Sequence, residues 1–234
     1  MLTTKKYRVL AFALAIAWAG PALAMSDNDA QSLAQAAYNK NDSKALNKLK
    51  DAAESGDAIA QDWLGAYLGA KNELTQAVKW YRKAADQGYA TAQYNLGLDY
   101  AHGQGVPQDY AEAAKWYRKA ADQGNSTAQV KLGVAYLDGQ GVDKNPQEAL
   151  KWFQQAADKG DAGGQYNLGA AYENGWGVVS DLAQALKWYR LAAGQGVAEL
   201  QLRVGNWYRQ GTGTQADLAE AARWYRLAAD QNHP

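Results

Sequence analysis

The sequence predicts an all-α protein, built as a solenoid of stacked, antiparallel helix pairs. Two observations carry this prediction. A tryptophan between a basic and an aromatic residue returns every 36 residues, and a glycine follows the central aliphatic residue of each repeat. Self-similarity at a fixed period of about 20 to 50 residues indicates units that bury their apolar faces only by stacking. The five tryptophans are Trp80, Trp116, Trp152, Trp188 and Trp224.

Residues 1–24 have the pattern of a cleaved secretory signal peptide. Three basic side chains within residues 5–8 precede an apolar run over residues 9–19, and Ala22 and Ala24 are the small residues of a cleavage site. The run is shorter than the roughly 20 residues that a membrane span requires. We therefore expect cleavage near Ala24, no membrane insertion afterwards, and a periplasmic or secreted mature chain.

Composition excludes several functional classes. Three of the 24 basic side chains lie in the signal, which leaves 21 against 24 acidic ones, so nothing favours nucleic-acid binding. The chain has no cysteine, which removes disulfides and thiolate chemistry. Its two histidines, His102 and His233, do not form a metal-binding cluster. We expect no catalytic residue, no cofactor and no metal.

Alignment on the tryptophans divides the chain into a cap and a solenoid. The solenoid covers residues 57–234, and its first repeat is four residues shorter than the others, in the loop between its two helices. Residues 25–56 resemble the end of a repeat at Ala52, Ala53 and Gly56 but lack the Trp-Tyr pair, so we expect a degenerate N-terminal capping repeat. The five repeats are residues 57–88, 89–124, 125–160, 161–196 and 197–232.

The first half of each repeat predicts a helix, here called helix A. Ala92, Leu96 and Tyr100 lie four residues apart, on one helical stripe, and their equivalents recur downstream. Glycine inside a helix costs about 0.5–1 kcal/mol relative to alanine. A glycine in this place in every repeat, such as Gly97, therefore indicates close approach of the neighbouring helix.

The second half of each repeat predicts another helix, here called helix B. Paired glycines such as Gly103 and Gly105 end helix A. Asp109 then precedes Glu112 by three residues, which is typical of a capped helix start. The tryptophan follows on a stripe of small and large residues, and we expect it to be buried between repeats.

These residues resemble the Sel-1-like repeat, a relative of the tetratricopeptide repeat. The motif Ala-Gln-x-x-Leu-Gly-x-x-Tyr, then Gly-x-Gly-Val, then Ala-x-x-Trp-Tyr-x-x-Ala-Ala, is met almost position by position between Ala92 and Gly124. The resemblance covers residues 57–232. It implies a right-handed superhelix whose concave side, lined by helix A, binds other proteins.

Positions that vary between repeats are the candidate binding site. Two registers of helix A lie away from the Ala/Leu/Tyr stripe and change chemistry from repeat to repeat, and two of their members, Trp63 and Trp207, are expected to be exposed aromatic anchors. A solvated face without a ligand remains the alternative. Trp176, between the paired glycines of the fourth repeat, is a further candidate contact. The candidate residues are Trp63, Tyr67, Asn95, Asp99, Lys131, Asn167, Arg203, Trp207 and Trp176.

The resemblance leaves three functions open. The first is a non-enzymatic periplasmic scaffold or adaptor that binds a protein or peptide along the concave helix A face. The second is a periplasmic immunity or inhibitor protein that neutralises an exported toxin such as a lipase. The third is the β-lactam-related hydrolase activity of a cysteine-rich branch, which the absence of cysteine argues against. The C-terminal repeat has no cap comparable to residues 25–56, so it is a candidate dimer surface.

Overall fold

The computed structural model describes residues 25–231. The predicted signal peptide, residues 1–24, lies outside the described residues. Within residues 25–231 there are twelve α-helices and no β-strand, which confirms the predicted fold class. None of these helices is both long and apolar enough to cross a membrane. The helices are α1 (Asp27–Asn39), α2 (Ser43–Glu54), α3 (Ala58–Ala70), α4 (Leu74–Asp86), α5 (Ala90–His102), α6 (Tyr110–Asp122), α7 (Ser126–Asp138), α8 (Pro146–Asp158), α9 (Ala162–Asn174), α10 (Leu182–Ala193), α11 (Ala198–Gln210) and α12 (Leu218–Ala229).

The helices stack in chain order, as a solenoid. Helices α3 and α4 form repeat 1, and the following pairs form repeats 2 to 5, so that helix A is α3, α5, α7, α9 or α11. Each helix B packs on its own helix A and on helix A of the next repeat. Helices α1 and α2 form a further pair, which packs against α3. Helix α7 also contacts α9, so the helices A of repeats 3 and 4 meet directly on one side of the stack.

Side-chain caps set the starts of helix B. Asp109 Oδ1 accepts hydrogen bonds from the backbone amides of Ala111 and Glu112, at 2.9 and 3.0 Å. Asp181 and Asp217 repeat this cap, and Asn145 caps α8 with Pro146 at its first position. These caps satisfy amide groups that have no partner inside the helix. The predicted starts of helix B are confirmed.

The glycine inside each helix A faces an aromatic ring of helix B. A Cβ added to Gly133 would lie 2.5 Å from the Phe153 ring, and one added to Gly97 would lie 2.6 Å from the Tyr117 ring. The same contact joins Gly65, Gly169 and Gly205 to the aromatic residue after the tryptophan of their own repeat. The predicted close approach is confirmed. The ring that follows the tryptophan, rather than the tryptophan itself, fills this space.

The second glycine of each interhelical loop has a separate role. Gly141 has a φ of +73°, and a Cβ there would lie 2.0 Å from the carbonyl oxygen of Tyr110, at the start of helix B in the preceding repeat. At each junction between consecutive repeats, the backbone of the loop therefore contacts the backbone at the start of helix B of the preceding repeat. The equivalent pairs are Gly105 with Leu74, Gly177 with Pro146 and Gly213 with Leu182.

The tryptophans of helix B are buried to different extents. Trp116, Trp152 and Trp224 are buried, as expected, whereas Trp80 and Trp188 are only half-buried. An arginine of the preceding repeat covers two of the buried rings. The Arg118 Cζ atom lies 5.6 Å from the centre of the Trp152 ring, and the same guanidinium donates to the Tyr136 hydroxyl. Cation–π contacts thus link neighbouring repeats.

A row of buried glutamines also joins helix B to helix A. Gln93 Nε2 donates to the Ala85 carbonyl oxygen of the preceding repeat at 3.1 Å, and Gln123 Nε2 donates to Gln93 Oε1 at 2.7 Å. Buried polar groups are costly unless they are paired. These glutamines therefore stabilise the junctions between repeats.

Candidate protein-binding face

Three of the candidate residues reach back to the preceding helix pair. Trp63 Nε1 donates to Asp27 Oδ1 at 2.8 Å. Asn95 Nδ2 donates to Asp62 Oδ1 at 2.9 Å, and Arg203 Nη2 lies 2.5 Å from Glu173 Oε2. This register of helix A therefore faces the junction between repeats rather than open solvent.

The expectation that Trp63 and Trp207 are exposed is wrong. Their exposed fractions are 6% and 9%. The Trp207 ring packs edge-to-face on Tyr189 at 5.4 Å between ring centres, and the Arg203 guanidinium lies 4.4 Å from the centre of the same Tyr189 ring. Asp99, in the same register as Trp207, is also buried. These side chains are placed to hold adjacent repeats together.

The remaining candidate residues are spread over the molecule. Lys131 is exposed, and Tyr67 is half-buried beside Lys71. Asn167 is half-buried and donates to the Gly163 carbonyl oxygen at 2.8 Å. Trp176 is half-buried in a separate loop cleft of about 430 Å³. The nine residues therefore do not form one continuous surface.

An adjacent register of helix A carries partly exposed apolar side chains in four successive repeats, which the sequence reading missed. Its side chains lie one residue before the predicted registers, at the half-buried or exposed positions of α5, α7, α9 and α11. A shift of one residue turns the direction of a side chain by about 100° around a helix. We call this surface the apolar stripe: Tyr94, Leu98, Val130, Val134, Tyr166 and Leu202.

Packing against helix B and against neighbouring repeats holds the apolar stripe in place. The Tyr94 and Tyr166 rings lie 6.1 and 5.7 Å from the rings of Tyr117 and Tyr189 of their own helix B. Across one junction, a Cβ added to Gly163 would lie 3.7 Å from both methyl groups of Val130. Val130 of the stripe therefore lies against helix α9 of the next repeat. Apolar residues four positions apart, such as Tyr94 with Leu98 and Val130 with Val134, were the sequence pattern from which this surface could have been predicted.

Asp62 occupies the stripe position of repeat 1, where the other repeats carry apolar residues. It is 1% exposed, and its Oδ2 has no hydrogen-bond partner among the described residues. The pKa of Asp62 is raised to about 7, chiefly by burial; the hydrogen bond from Asn95 lowers it, and the nearby Asp27 and Asp99 carboxylates raise it. The charge state of Asp62 therefore makes the stability of the stack at repeat 1 dependent on pH.

We expect Asp62 to make the protein less stable as pH rises from about 4 to about 7. In the unfolded chain Asp62 loses its proton near pH 4, whereas in the folded chain it keeps the proton until about pH 7. The free energy of unfolding should fall by on the order of 4 kcal/mol across this window and then level off.

Urea unfolding at about pH 5 and about pH 8 would measure this effect. The matched variant is Asp62→Asn, which keeps an acceptor for Asn95 but does not titrate. Its stability should change less between the two pH values than that of the wild type, and it should be the more stable of the two at the higher pH. Equal pH dependence in both proteins would contradict the assignment.

Within residues 25–231, no group of three or more histidine and acidic side chains is close enough together to hold a metal ion. What the described residues do present is a stack of helical hairpins with one apolar, partly exposed face. That arrangement defines an α-solenoid of the protein-interaction class.

The chain belongs to the Sel1 repeat family. The family model, described as the Sel1 repeat, matches residues 58–89, 90–125, 126–161, 162–197 and 198–233. Solved structures agree. The chain is similar to c5321, a protective antigen of uropathogenic Escherichia coli with an SLR fold, at 46% identity and a TM-score of 0.75, over 80% of this chain and 41% of that one. A Sel1 repeat protein from Oxalobacter formigenes is 35% identical, with a TM-score of 0.74, over 86% and 84% of the two chains.

Curated relatives match over shorter segments. DAP3-binding cell death enhancer 1 of Rattus norvegicus is 38% identical over 66 residues, which are 28% of this chain and 13% of that protein. The F-box protein At1g70590 of Arabidopsis thaliana is 43% identical over 65 residues, which are 27% of this chain and 18% of that protein. The chain thus spans less than a fifth of the length of these relatives.

Proposed function

We propose that this chain is a non-enzymatic scaffold or adaptor of the periplasm, which binds a protein or peptide along the face of helix A. The observation that carries the proposal is the apolar stripe, because it runs through four repeats and stays partly exposed. Contiguous apolar surface on a soluble protein typically marks a site of protein contact. The signal-like pattern of residues 1–24 supports the periplasmic address.

The chemistry of the stripe supports a particular kind of ligand. Two tyrosines, Tyr94 and Tyr166, stand among aliphatic side chains, and rigid aromatic rings are common anchors of binding sites. Helices α7 and α9, the helices A of repeats 3 and 4, contact each other, which supports placing helix A on the inner side of the curve. A partner segment with an apolar side, held in this inner groove, would cover the stripe without requiring strong charge complementarity.

Site-specific photo-crosslinking tests this proposal. A photoreactive phenylalanine analogue replaces Tyr166 on the stripe, and in a matched variant it replaces Lys187 on the exposed side of α10 in the same repeat. In envelope extract of the source cell, the variant at position 166 should yield one or more discrete crosslinked species, identified by mass spectrometry, and the variant at position 187 should yield none. Equal crosslinking from both positions would exclude the stripe as the binding surface.

An immunity or inhibitor role is the second candidate. The immunity protein PA5088 of Pseudomonas aeruginosa has the same fold, with a TM-score of 0.55 at 21% identity, over 92% of this chain and 94% of that one. That similarity concerns the fold alone. An inhibitor would form one tight complex with a single toxin, whereas a scaffold would yield several crosslinked partners in the experiment above.

The C-terminal repeat remains a candidate surface for self-association. Leu218 and Leu227 of α12 are exposed, and so is Leu191 of the preceding helix B. Exposed leucine side chains favour contact with a second copy. Light scattering of the wild type and of Leu218→Lys would show whether a dimer depends on this surface.

A further inference from the structure

The junction between repeats 2 and 3 contains a cleft that two residues peculiar to repeat 3, Gln155 and Lys159, help to line. The cleft has a volume of about 480 Å³ and lies between the ends of α6 and α8. Its chemistry comes from the following six side chains: Asp122, Gln129, Trp152, Gln155, Asp158 and Lys159.

Repeat 3 departs from its siblings at the end of helix B. In the other four repeats a glutamine there donates to the buried glutamine of helix A; Gln123 Nε2, for example, lies 2.7 Å from Gln93 Oε1. Repeat 3 has Lys159 in this place, and its Nζ instead donates to the Gly124 carbonyl oxygen at 2.6 Å. Gln129 Oε1 is therefore left buried without a hydrogen-bond partner among the described residues. The other sibling bonds are Gln87 to Gln61, Gln195 to Gln165 and Gln231 to Gln201.

A second difference, from repeats 1 and 2, leaves the tryptophan ring of repeat 3 without the lysine that covers the ring in those two repeats. Lys83 Nζ lies 3.9 Å from the centre of the Trp80 ring, and Lys119 Nζ lies 3.8 Å from that of Trp116. The equivalent residue in repeat 3 is Gln155, which is exposed and neutral. Trp152 thus lines the cleft with no ammonium of its own repeat over its ring.

The charged groups around the cleft are of both signs. Asp122 and Asp158 are exposed at its edge, and Asp158 Oδ1 accepts from Gln154 at 2.7 Å. The two cations are Lys159, whose ammonium is bound to the Gly124 carbonyl oxygen, and Arg118, which covers Trp152 from the preceding repeat. The carboxylates of Asp122 and Asp158 therefore remain to balance an incoming positive charge.

We propose that this cleft binds a primary ammonium group carried on an alkyl chain. The ammonium would donate to Gln129 Oε1, lie over the Trp152 ring as the lysines of repeats 1 and 2 do over theirs, and face the Asp122 and Asp158 carboxylates. A lysine side chain of a partner protein and a small free alkylamine share this chemistry. The site is separate from the apolar stripe, so it does not depend on the proposed function.

Titration of the ¹⁵N-labelled protein tests the proposal directly. The indole signal of Trp152, assigned with Trp152→Phe, is followed while n-butylammonium chloride or Nα-acetyl-lysine amide is added at constant ionic strength. Both amines should shift this signal saturably, with a dissociation constant on the order of 1 mM. Nα-acetyl-norleucine amide, which lacks the ammonium, should not. Tighter binding of the lysine amide would indicate a lysine of a protein, and equal binding an alkylamine.

The repeats themselves supply the control variant. Gln155→Lys combined with Lys159→Gln installs the pair that repeat 2 carries at Lys119 and Gln123, and so fills the cleft. This variant should keep its helical circular dichroism spectrum and thermal stability, and should bind either amine at least about tenfold more weakly. Unchanged binding by this folded variant, a linear response of the wild type, or an equal shift with the norleucine amide would each overturn the proposal.

Discussion

Replacement of Gly141 by alanine is expected to lower the free energy of unfolding by about 3 kcal/mol or more. The new Cβ would lie 2.0 Å from the Tyr110 carbonyl oxygen and 2.6 Å from the Ala111 nitrogen. These are backbone atoms at a capped helix start, which cannot move aside as a flexible side chain could. The positive φ of +73° adds strain of its own. Urea unfolding followed by circular dichroism measures the loss.

Gly160→Ala separates the two causes. Gly160 has a similar φ of +81°, but a Cβ there would have nothing within 4 Å. The free energy of unfolding of this variant should fall only by the cost of the left-handed conformation for alanine, about 1 kcal/mol. If both alanine variants were equally stable, contact between repeats through the loop glycine would not contribute to stability.

Trp152→Ala is expected to cost about 3–5 kcal/mol. The ring is 8% exposed and packs in one cluster with Ala121 and Leu132, so its removal leaves a cavity between repeats 2 and 3. The Arg118 guanidinium also loses the ring that it covers. The melting temperature should fall by roughly 10 °C, at the 2–4 °C per kcal/mol typical of a chain of this size.

Two further variants serve as controls for this result. Lys151→Ala removes an exposed side chain whose Nζ pairs with Glu148, and should leave the melting temperature nearly unchanged. Trp188→Ala should have an intermediate effect because this ring is only half-buried. Equal melting temperatures for Trp152→Ala and Lys151→Ala would contradict the burial of the indole as a source of stability.

The local features of the fold could be predicted from the sequence, because each depends on a few adjacent residues. Asp109 caps α6 through amides two and three residues later, and Gly97 admits an aromatic ring of its own repeat. Such features recur every 36 residues, and five copies distinguish a requirement of the fold from coincidence.

The binding face could not be predicted in the same way. Its location depends on the angle between one repeat and the next. The 36-residue period of the sequence does not determine that angle. Trp63 appeared variable and aromatic, yet it is buried because α1 lies over it and Asp27 accepts its indole hydrogen bond. Tyr94 and Val130, one residue away from the predicted register, remain partly exposed. The sequence does show that Lys159 replaces the glutamine of the other four repeats, but it does not show that this leaves Gln129 Oε1 buried without a hydrogen-bond partner among the described residues.

The loop glycines have a consequence for the mechanics of the array. At the four junctions between consecutive repeats, the loop glycine contacts backbone atoms of the preceding repeat, and this contact fixes the distance between the two repeats. Repeat 1 has a shorter loop, Lys71–Glu73, without this glycine, so the glycine contact is missing between repeat 1 and the pair of α1 and α2. We therefore expect slow bending motions to be concentrated at the junction between the α1–α2 pair and repeat 1. Repeats 1 to 5 should move together as one rigid unit.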